Sequence, residues 1–183
     1  VADSRIFNMK NSGAYGVKAP AVISQLVELV TKEGKSPKTE FVGKSAKYIL
    51  DKIGITVGDD VKVILMEAKE DHPFVQVELM MPILPLVRVP DVDQAIEMAV
   101  RVEHGNRHTA MMHSRNVEKL TKMAKLIQTT IFVKNGPSYA GIGVGGEGYT
   151  TFTIAGPTGE GLTSAKSFAR RRRCVLVGGM DVR

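Results

Sequence analysis

Residues 72–89 have the sequence HPFVQVELMMPILPLVRV, the densest apolar run in the chain. Pro73, Pro82 and Pro85 interrupt this run, and proline removes a backbone donor and favours extended geometry in the residue before it. No uninterrupted central strand or helix can therefore occupy the whole run. Its one carboxylate, Glu78, lies between apolar residues, which leaves two interpretations open. The first, favoured by spacing alone, is a strand whose Glu78 faces water. The second is an irregular turn that presents Glu78 to a polar ligand.

The composition excludes several classes of protein. With 183 residues, 43% of them hydrophobic and 24% charged, the chain is an ordinary globular sequence with enough length for one core. Its apolar runs are too short to span a bilayer, so we expect no membrane contact and a cytoplasmic location. The single cysteine, Cys174, cannot form an intramolecular disulfide. The histidines are scattered without metal-ligand spacing, and we predict no metal site.

A cluster of positive charge lies near the C-terminal end. Arg170–Arg173 contribute a large part of the net charge of +6. Such a cluster can bind phosphate-rich partners, but nucleic-acid binders usually interleave aromatic residues or contain a recognisable module. Neither accompanies these arginines, which favours a solvated helix end or a subunit-interface patch. We therefore predict no nucleic-acid partner.

The order of the apolar periodicities predicts an α/β fold. Longer helices are indicated at 20–34, 91–105 and 117–127, and Asp91 and Gln94 are placed to form a capping pair for the second of these. Alternating strands and helices imply a mostly parallel sheet with right-handed crossovers and helices on both faces. A short helix is also indicated at 162–169, and short strands are predicted at 61–66, 86–89, 109–112, 130–133, 149–154 and 174–177.

A glycine-rich loop follows Asn135. Gly141, Gly143 and Gly146 match G-x-G-x-x-G, a pattern that binds a dinucleotide when it leaves a strand and opens a helix. The residues after this loop predict a strand instead of a helix. We therefore reject a nucleotide-binding role for these glycines and expect only that they let backbones pass closely.

Residues 104–110, HGNRHTA, bring two histidines and an arginine into one short loop. The loop connects a predicted helix to the strand after it, and such connections usually lie at the edge of a parallel sheet that faces away from ligands. A histidine here could still act as a general base or pair with a phosphate. The residue pattern by itself slightly favours a structural role.

Four motifs together resemble the C-terminal part of the CoA-acylating aldehyde dehydrogenases, in particular the propionaldehyde and acetaldehyde dehydrogenases of propanediol and ethanolamine utilisation. The resemblance covers essentially the whole chain, with the motifs in the same order and at similar spacing. It implies an acyl-transfer (catalytic) domain over residues 1–183, in which 147–183 form a loop-rich oligomerisation extension. The motifs are VELMMPILPLVRV (77–89), HGNRHTAMMHS (104–114), TTIFVKNGPSYAG (129–141) and GEGYTTFTIAGPTGEGLTSAKSFARRRRCVL (146–176).

The resemblance also implies site residues. The Glu-x-x-x-Pro motif of the family falls on residues 78–82 and includes Glu78, Leu79 and Pro82. It implies that Glu78 binds the ribose hydroxyls of NAD, which aims the nicotinamide at the reacting carbon. The G-x-x-H-T motif falls on 105–109 and implies that His108 lies near the thioester and assists the attack of coenzyme A. This reverses the preference for a water-facing, incidental Glu78.

The reaction implied by the resemblance is the NAD-dependent oxidation of a short-chain aldehyde to acyl-CoA through a cysteine thioester. Cys174 does not match the motif of the nucleophile, which would precede Val1 together with the Rossmann domain that binds NAD. We therefore expect a fragment that is inactive alone. The resemblance implies that its parent is a homo-oligomer and associates with the shell of a bacterial microcompartment, whose lumen is an alternative location to the cytoplasm.

A second hypothesis comes from a different class of protein. The arginine cluster, the apolar strand predicted at 174–177 and the lack of a nucleophile would also suit a non-catalytic assembly or binding module. Such a module would use the same fold for subunit contact.

Overall fold

The computed structural model describes residues 1–147, 154–155 and 161–178. The chain divides into two compact units, unit 1 over Val1–Val102 and unit 2 from Glu103 onwards, while the expectation of one domain with an oligomerisation extension stays a prediction. Unit 1 contains the helices α1 (Ala2–Asn11), α2 (Pro20–Val30), α3 (Ala46–Asp51), α4 (Pro73–Gln76) and α5 (Val92–Val102) and the strands β1 (Ala14–Val17), β2 (Thr31–Lys32), β3 (Ser36–Pro37), β4 (Val63–Glu67) and β5 (Ile83–Leu86). Unit 2 contains α6 (Val117–Ile127), β6 (Thr109–Met112), β7 (Ile131–Lys134), β8 (Ile154–Ala155) and β9 (Gly161–Leu162).

Unit 1 is built on a parallel sheet with the strand order β1-β4-β5. Leu65 of the central strand pairs with Gly16 of β1 and with Leu84 of β5. The central strand is apolar along most of its length, as expected for a parallel strand that is covered on both faces. The core beside it includes residues with no exposed surface, namely Leu26, Val30, Ile49, Leu50 and Ile64.

Unit 2 contains a second parallel pair, β6 and β7, connected through α6. Asn116 caps α6, because its side chain accepts a hydrogen bond from the Lys119 amide at 3.0 Å. The helix buries Leu120 and Met123. The α/β class is therefore confirmed, although the parallel strands of the described residues belong to two sheets and not to one.

The helix predicted at 91–105 is confirmed as α5, and Asp91 caps it, but the reciprocal hydrogen bond expected of Gln94 is not formed. The amide of Gln94 donates to Asp91 Oδ1 at 2.9 Å. The Gln94 side chain donates to the other carboxylate oxygen at 3.1 Å, so it supports the cap without accepting from the Asp91 backbone. The helix ends at Val102, three residues before the predicted end.

The prediction that α2 continues to Gly34 is wrong. Thr31 leaves the helix in an extended conformation, and its hydroxyl donates to Val27 O at 2.6 Å. The same hydroxyl accepts from the Gly34 amide at 3.0 Å, which turns the chain into the β2–β3 hairpin. The helix ends before the glycine because the Thr31 hydroxyl binds one backbone carbonyl and one backbone amide.

The strand predicted at 86–89 is also misplaced, because the observed strand β5 covers 83–86 and contains Pro85. The prediction treated Pro85 as an interruption. In the described sheet β5 is an edge strand, and an edge strand tolerates proline because one side of its backbone needs no donor.

The predictions for the C-terminal part are corrected in two places. Residues 174–177 form no strand, and they are exposed. An apolar run becomes a strand only when a partner satisfies its backbone, and none of the described residues does so here. The helix predicted at 162–169 is only the short 3-10 helix Ala165–Phe168. Most of the strand predicted at 149–154 lies outside the described residues.

Among the described residues, no helix combines the length and the apolar character that a membrane span requires.

Candidate functional site

Residues 72–82 form a segment that begins with the one-turn helix α4 and ends in an irregular turn. His72 caps this helix, because its Nδ1 atom accepts a hydrogen bond from the Phe74 amide at 3.1 Å. Pro73 occupies the first helical position, where its missing N–H costs nothing. Phe74 and Leu79 anchor the segment in the core with 4% and 5% of their surface exposed.

The 78–82 turn, which carries the Glu-x-x-x-Pro motif, has no regular secondary structure before β5 begins. Met80 adopts a left-handed backbone conformation with φ of 53°. Its carbonyl accepts from the Gly43 amide at 3.1 Å, and the Pro82 carbonyl accepts from the Ile64 amide at 2.8 Å. The strand interpretation of Glu78 is therefore wrong, and the irregular turn is confirmed. That the turn presents Glu78 to a polar ligand stays a prediction.

Each predicted residue of the turn has a different environment. Glu78 is exposed and accepts no hydrogen bond from the residues that the structure describes. Pro82 is half-buried and ties the turn to β4 through its carbonyl. Leu79 is almost completely buried, so any contact with a cofactor would have to come from its backbone. Of these three predicted residues, Glu78 is the one with an exposed side chain.

A cavity of about 530 Å³ lies against this turn. Its lining includes the apolar side chains of Met80 to Pro82 and the charged residues Lys44, Lys47, Asp59 and Lys62, while Glu78 is not among the lining residues. The Lys47 ammonium pairs with the Asp59 carboxylate at 3.0 Å, which raises the pKa of the lysine and lowers that of the aspartate. A lining of apolar side chains and ammonium groups suits a ligand that has both apolar and anionic parts.

The start of the segment is tied to the end of α5. The guanidinium of Arg101 donates to both carboxylate oxygens of Glu70, at 2.8 and 3.0 Å. This bidentate contact lowers the pKa of the Glu70 carboxyl. The Gln76 side chain donates to the Glu70 carbonyl at 2.5 Å. Glu70, in the loop before α4, is therefore bound through its carboxylate to α5 and through its carbonyl to α4.

His108 lies in unit 2, in the 103–109 loop that leads into β6. Three residues of this loop have positive φ angles: His104 at 56°, Gly105 at 75° and Arg107 at 53°. The Glu103 carboxylate accepts from the His108 amide at 3.3 Å. The loop is therefore shaped by its own backbone and by one carboxylate rather than by buried side chains.

The imidazole of His108 is exposed, and its Nδ1 atom lies 2.7 Å from the Thr109 hydroxyl, within hydrogen-bonding distance. This contact occupies Nδ1 and leaves Nε2 without a partner among the described residues. A histidine held in this way can accept or donate a proton through Nε2. The His108 carbonyl accepts from the Ile131 amide at 3.1 Å, which fixes the residue at the start of the β6–β7 pair.

The structure thus places Glu78, Leu79 and Pro82 on one turn of unit 1 and His108 in unit 2. Sequence reasoning missed two supporting residues, His72 and Glu103. The His-Pro pair before an apolar run was a signal for the His72 cap, since proline favours the first position of a helix. Nothing in the sequence pattern indicated that Glu103 would bind a backbone amide five residues later.

The glycine-rich loop has the packing role that its sequence suggested. Gly141 lies in the 3-10 helix Ser138–Ile142, where an added Cβ would overlap Ile131 of β7. At Gly146, an added Cβ would lie 2.7 Å from the Ala140 carbonyl oxygen. Both glycines allow a close approach of the loop to its neighbours. In the described ranges, no group of three or more histidine, cysteine, aspartate or glutamate side chains is arranged to hold a metal ion.

Comparisons with known proteins now identify the class. The family model described as the aldehyde dehydrogenase family matches residues 61–159. The chain belongs to this family.

Its relatives give a finer picture. The chain is 49% identical to propanal dehydrogenase (CoA-propanoylating) of Salmonella typhimurium, in an alignment that covers 100% of this chain and 39% of the relative. A propionaldehyde dehydrogenase of Rhodopseudomonas palustris, solved with bound CoA and an acylated cysteine, is 68% identical with a TM-score of 0.90, covering 100% of this chain and 42% of that one. A propionaldehyde dehydrogenase of the Clostridium phytofermentans fucose utilisation microcompartment is 46% identical with a TM-score of 0.85, covering 99% of this chain and 42% of that one. The chain therefore spans about two fifths of the length of these proteins.

Proposed function

We propose that this chain is the acyl-transfer part of a CoA-acylating aldehyde dehydrogenase, which oxidises a short-chain aldehyde to acyl-CoA with NAD. The observation that carries the proposal is the Glu78 carboxylate, exposed on an anchored turn in a chain that is 49% identical to a CoA-propanoylating propanal dehydrogenase over its full length. The substrate class is a small aldehyde such as propionaldehyde or acetaldehyde. NAD is the cofactor, and coenzyme A is the second substrate.

Glu78 is proposed to accept hydrogen bonds from the two hydroxyls of the nicotinamide ribose. An exposed carboxylate without a partner among the described residues fits this task, because its oxygens are free to accept from a ligand. The buried anchors Phe74 and Leu79 fix the backbone on either side of the carboxylate. When bound, the cofactor supplies the hydride acceptor, and Glu78 contributes its orientation.

His108 is proposed to assist the transfer of the acyl group to coenzyme A. Its Nε2 atom is exposed and could take the thiol proton, while Thr109 holds Nδ1 at 2.7 Å. The thioester-forming cysteine is proposed to lie outside residues 1–183. Cys174, beside the arginine cluster and far from any of the site motifs in sequence, is not proposed as the nucleophile.

The test uses a full-length polypeptide that contains this chain, assayed by NADH formation from propionaldehyde and coenzyme A. We expect Glu78→Gln to lower turnover about tenfold or more, because hydrogen bonds to a charged acceptor contribute roughly 1.5–3 kcal/mol. Glu28→Gln, on the exposed face of α2, is the matched control and should retain full activity. Unchanged turnover in the Glu78 variant would refute its role, and absence of CoA-dependent NADH formation in the parent would refute the function.

We also propose that the C-terminal extension, residues 147–183, mediates association with further copies of the chain. In support, Val175, Leu176 and Val177 are 68%, 62% and 88% exposed, an unusual state for three successive apolar residues. Size-exclusion chromatography with light scattering tests the idea. A strictly monomeric protein would contradict it, whereas an oligomer without dehydrogenase activity would favour the non-catalytic assembly module.

For the location we propose the cytoplasm, with the lumen of a bacterial microcompartment as the alternative. The alternative is supported by the similarity to the dehydrogenase of the fucose utilisation microcompartment. Co-purification with shell proteins after cell fractionation would favour the lumen, and recovery only in the free soluble fraction would favour the cytoplasm.

A further inference from the structure

The cap of α4 is an imidazole, which makes it sensitive to protonation. His72 adopts an extended backbone conformation before the helix, with φ of −68° and ψ of 139°. Its Nδ1 atom accepts from the Phe74 amide at 3.1 Å, and the edge of one ring meets the face of the other at a centroid distance of 5.2 Å. Asparagine, aspartate, serine and threonine are the usual residues at this position.

The helix that His72 caps leads directly to Glu78. It spans only Pro73–Gln76, and the Val77 amide that follows still donates to the Pro73 carbonyl at 2.9 Å. One turn of helix has no stability of its own, because nucleation is unfavourable and few hydrogen bonds compensate for it. The conformation of the segment therefore depends on the cap at one end and on the burial of Phe74 and Leu79.

We propose that His72 is a positioning residue for Glu78: by capping α4 through Nδ1, it fixes the turn that presents the carboxylate. The role is indirect, because His72 acts through the backbone from 73 to 78 and touches no reacting group. This inference rests on the proposed function of Glu78.

Protonation removes the cap. Nδ1 can accept a hydrogen bond only through its lone pair, and the imidazolium carries a proton on both ring nitrogens. Partial burial lowers the pKa of His72, while the neighbouring Asp71 carboxylate acts in the opposite direction. The folded protein thus favours the neutral, capping form.

Other charged residues belong to the elements around His72. Glu67, Lys69 and Asp71 line the same cavity of about 590 Å³ as His72. The β2–β3 turn approaches Pro73 at Gly34 and carries Glu33 and Lys35. Of these groups, the Asp71 carboxylate acts against the lowering of the His72 pKa, and none of them takes part in the capping hydrogen bond.

The direction of the pH effect follows from the lowered pKa. Since the folded pKa lies below the unfolded value of about 6.5, the stabilisation by the cap is complete above that value. This stabilisation is lost as the pH falls below the unfolded pKa towards the folded pKa. The turn should therefore hold Glu78 best at neutral and alkaline pH.

The experiment compares His72→Ala, which has no cap, with His72→Asn, which retains an acceptor that does not titrate. Both are made in the full-length polypeptide, and the KM for NAD and kcat are measured between pH 5.5 and 8. At pH 7.5 we expect His72→Ala to raise the KM about three- to tenfold, as loss of a cap would cause, and His72→Asn to stay within twofold of the parent. His113→Asn, at an exposed histidine, is the control for histidine titration.

The pH profile separates positioning from general stability. The KM of the parent and of the His113 variant should rise as the pH falls from 7.5 to 5.5, and the KM of His72→Asn should stay nearly constant. A loss of folded protein would lower the apparent kcat without changing the KM. An unchanged KM in His72→Ala, or a His72→Asn profile identical to that of the parent, would overturn the proposal.

Amide hydrogen exchange of residues 73–82 gives a readout that is independent of activity. We expect faster exchange in His72→Ala and parent-like exchange in His72→Asn at pH 7.5. If Glu78→Gln has normal turnover but His72→Ala exchanges faster as expected, the proposed function of Glu78 is refuted and the capping role of His72 is supported. If Glu78→Gln has a lowered turnover but His72→Ala changes neither the amide exchange nor the KM, the positioning role of His72 is refuted. Should His72→Ala not fold, the pH profile of His72→Asn still decides.

Discussion

The 72–82 segment and the 103–109 loop both present an exposed chemical group, but they are held in different ways. The segment is anchored by Phe74 and Leu79, which are 4% and 5% exposed. The loop buries no side chain of its own. It is held instead by left-handed backbone conformations, by the Glu103 carboxylate, which accepts from the His108 amide, and by the hydrogen bond from the Ile131 amide to the His108 carbonyl.

The difference indicates what each region can tolerate. Burial of large apolar side chains contributes several kcal/mol, and its loss affects the whole unit. Backbone conformation and exposed hydrogen bonds contribute about 1 kcal/mol each, and their loss stays local. The backbone on either side of Glu78 should therefore depend mainly on the buried anchors of unit 1, with the His72 cap as a smaller contribution. The position of His108 should respond to changes in a few nearby residues.

Loss of a buried anchor should give the largest effect. We expect Phe74→Ala to lower the free energy of unfolding by about 3–5 kcal/mol, because it leaves a cavity in the core of unit 1. Urea unfolding followed by circular dichroism measures the change. Phe7→Ala removes the same side chain from α1, where it is 65% exposed, and should cost less than about 0.5 kcal/mol. Equal losses in the two variants would show that the anchor does not hold the segment.

A change in the backbone of the loop should have an intermediate effect. Gly105 has a φ of 75°, and an added Cβ would meet no atom within 4 Å. Gly105→Ala should therefore cost only the backbone strain, about 1–2 kcal/mol. The reverse change His104→Gly, at a φ of 56°, should be neutral or stabilising. Thermal unfolding of both variants tests the pair, and a stabilising alanine would contradict the conformation described.

The smallest effect should come from the exposed ion pair at the start of the segment. Arg101→Met removes the bidentate partner of Glu70. Because the pairing lowers the folded pKa of Glu70, its stabilisation is present above the unfolded pKa of about 4.3 and is lost as the pH falls through the folded value.

Melting temperatures of the parent and Arg101→Met test this dependence. They should differ slightly at pH 7 and converge as the pH falls below the lowered pKa of Glu70, and 1 M salt should also reduce the difference. Arg5→Met is the control, since Arg5 is exposed on α1. A difference that grows as the pH falls would contradict the assignment.

Some regular elements were predictable from the sequence because their capping residues and their apolar periodicity indicate the same bounds. The β6 strand was predicted at its observed bounds, and α6 begins and ends where its apolar spacing indicates. Elements that depend on tertiary partners were not predictable. Pro85 is tolerated because β5 lies at the edge of its sheet, and the apolar run at 174–177 has no strand partner among the described residues.

The same distinction applies to the candidate site. The prolines around Glu78 indicated an irregular turn, and the structure confirms it. The choice between an incidental and a ligand-facing glutamate could not come from periodicity, since both leave the side chain exposed. The Glu103 carboxylate reaches the His108 amide because His104 and Arg107 adopt positive φ angles. Neither residue type identifies such a conformation in a sequence as glycine would.

Cys174 is the only thiol in the chain, and it is exposed next to Val175. A maleimide dye or nitroxide added to this chain would therefore attach at one known position, without any prior mutation. Such a label would report directly on the segment proposed to meet another subunit. Its rotational freedom, or energy transfer between labelled copies, would show association at concentrations far below those that light scattering needs.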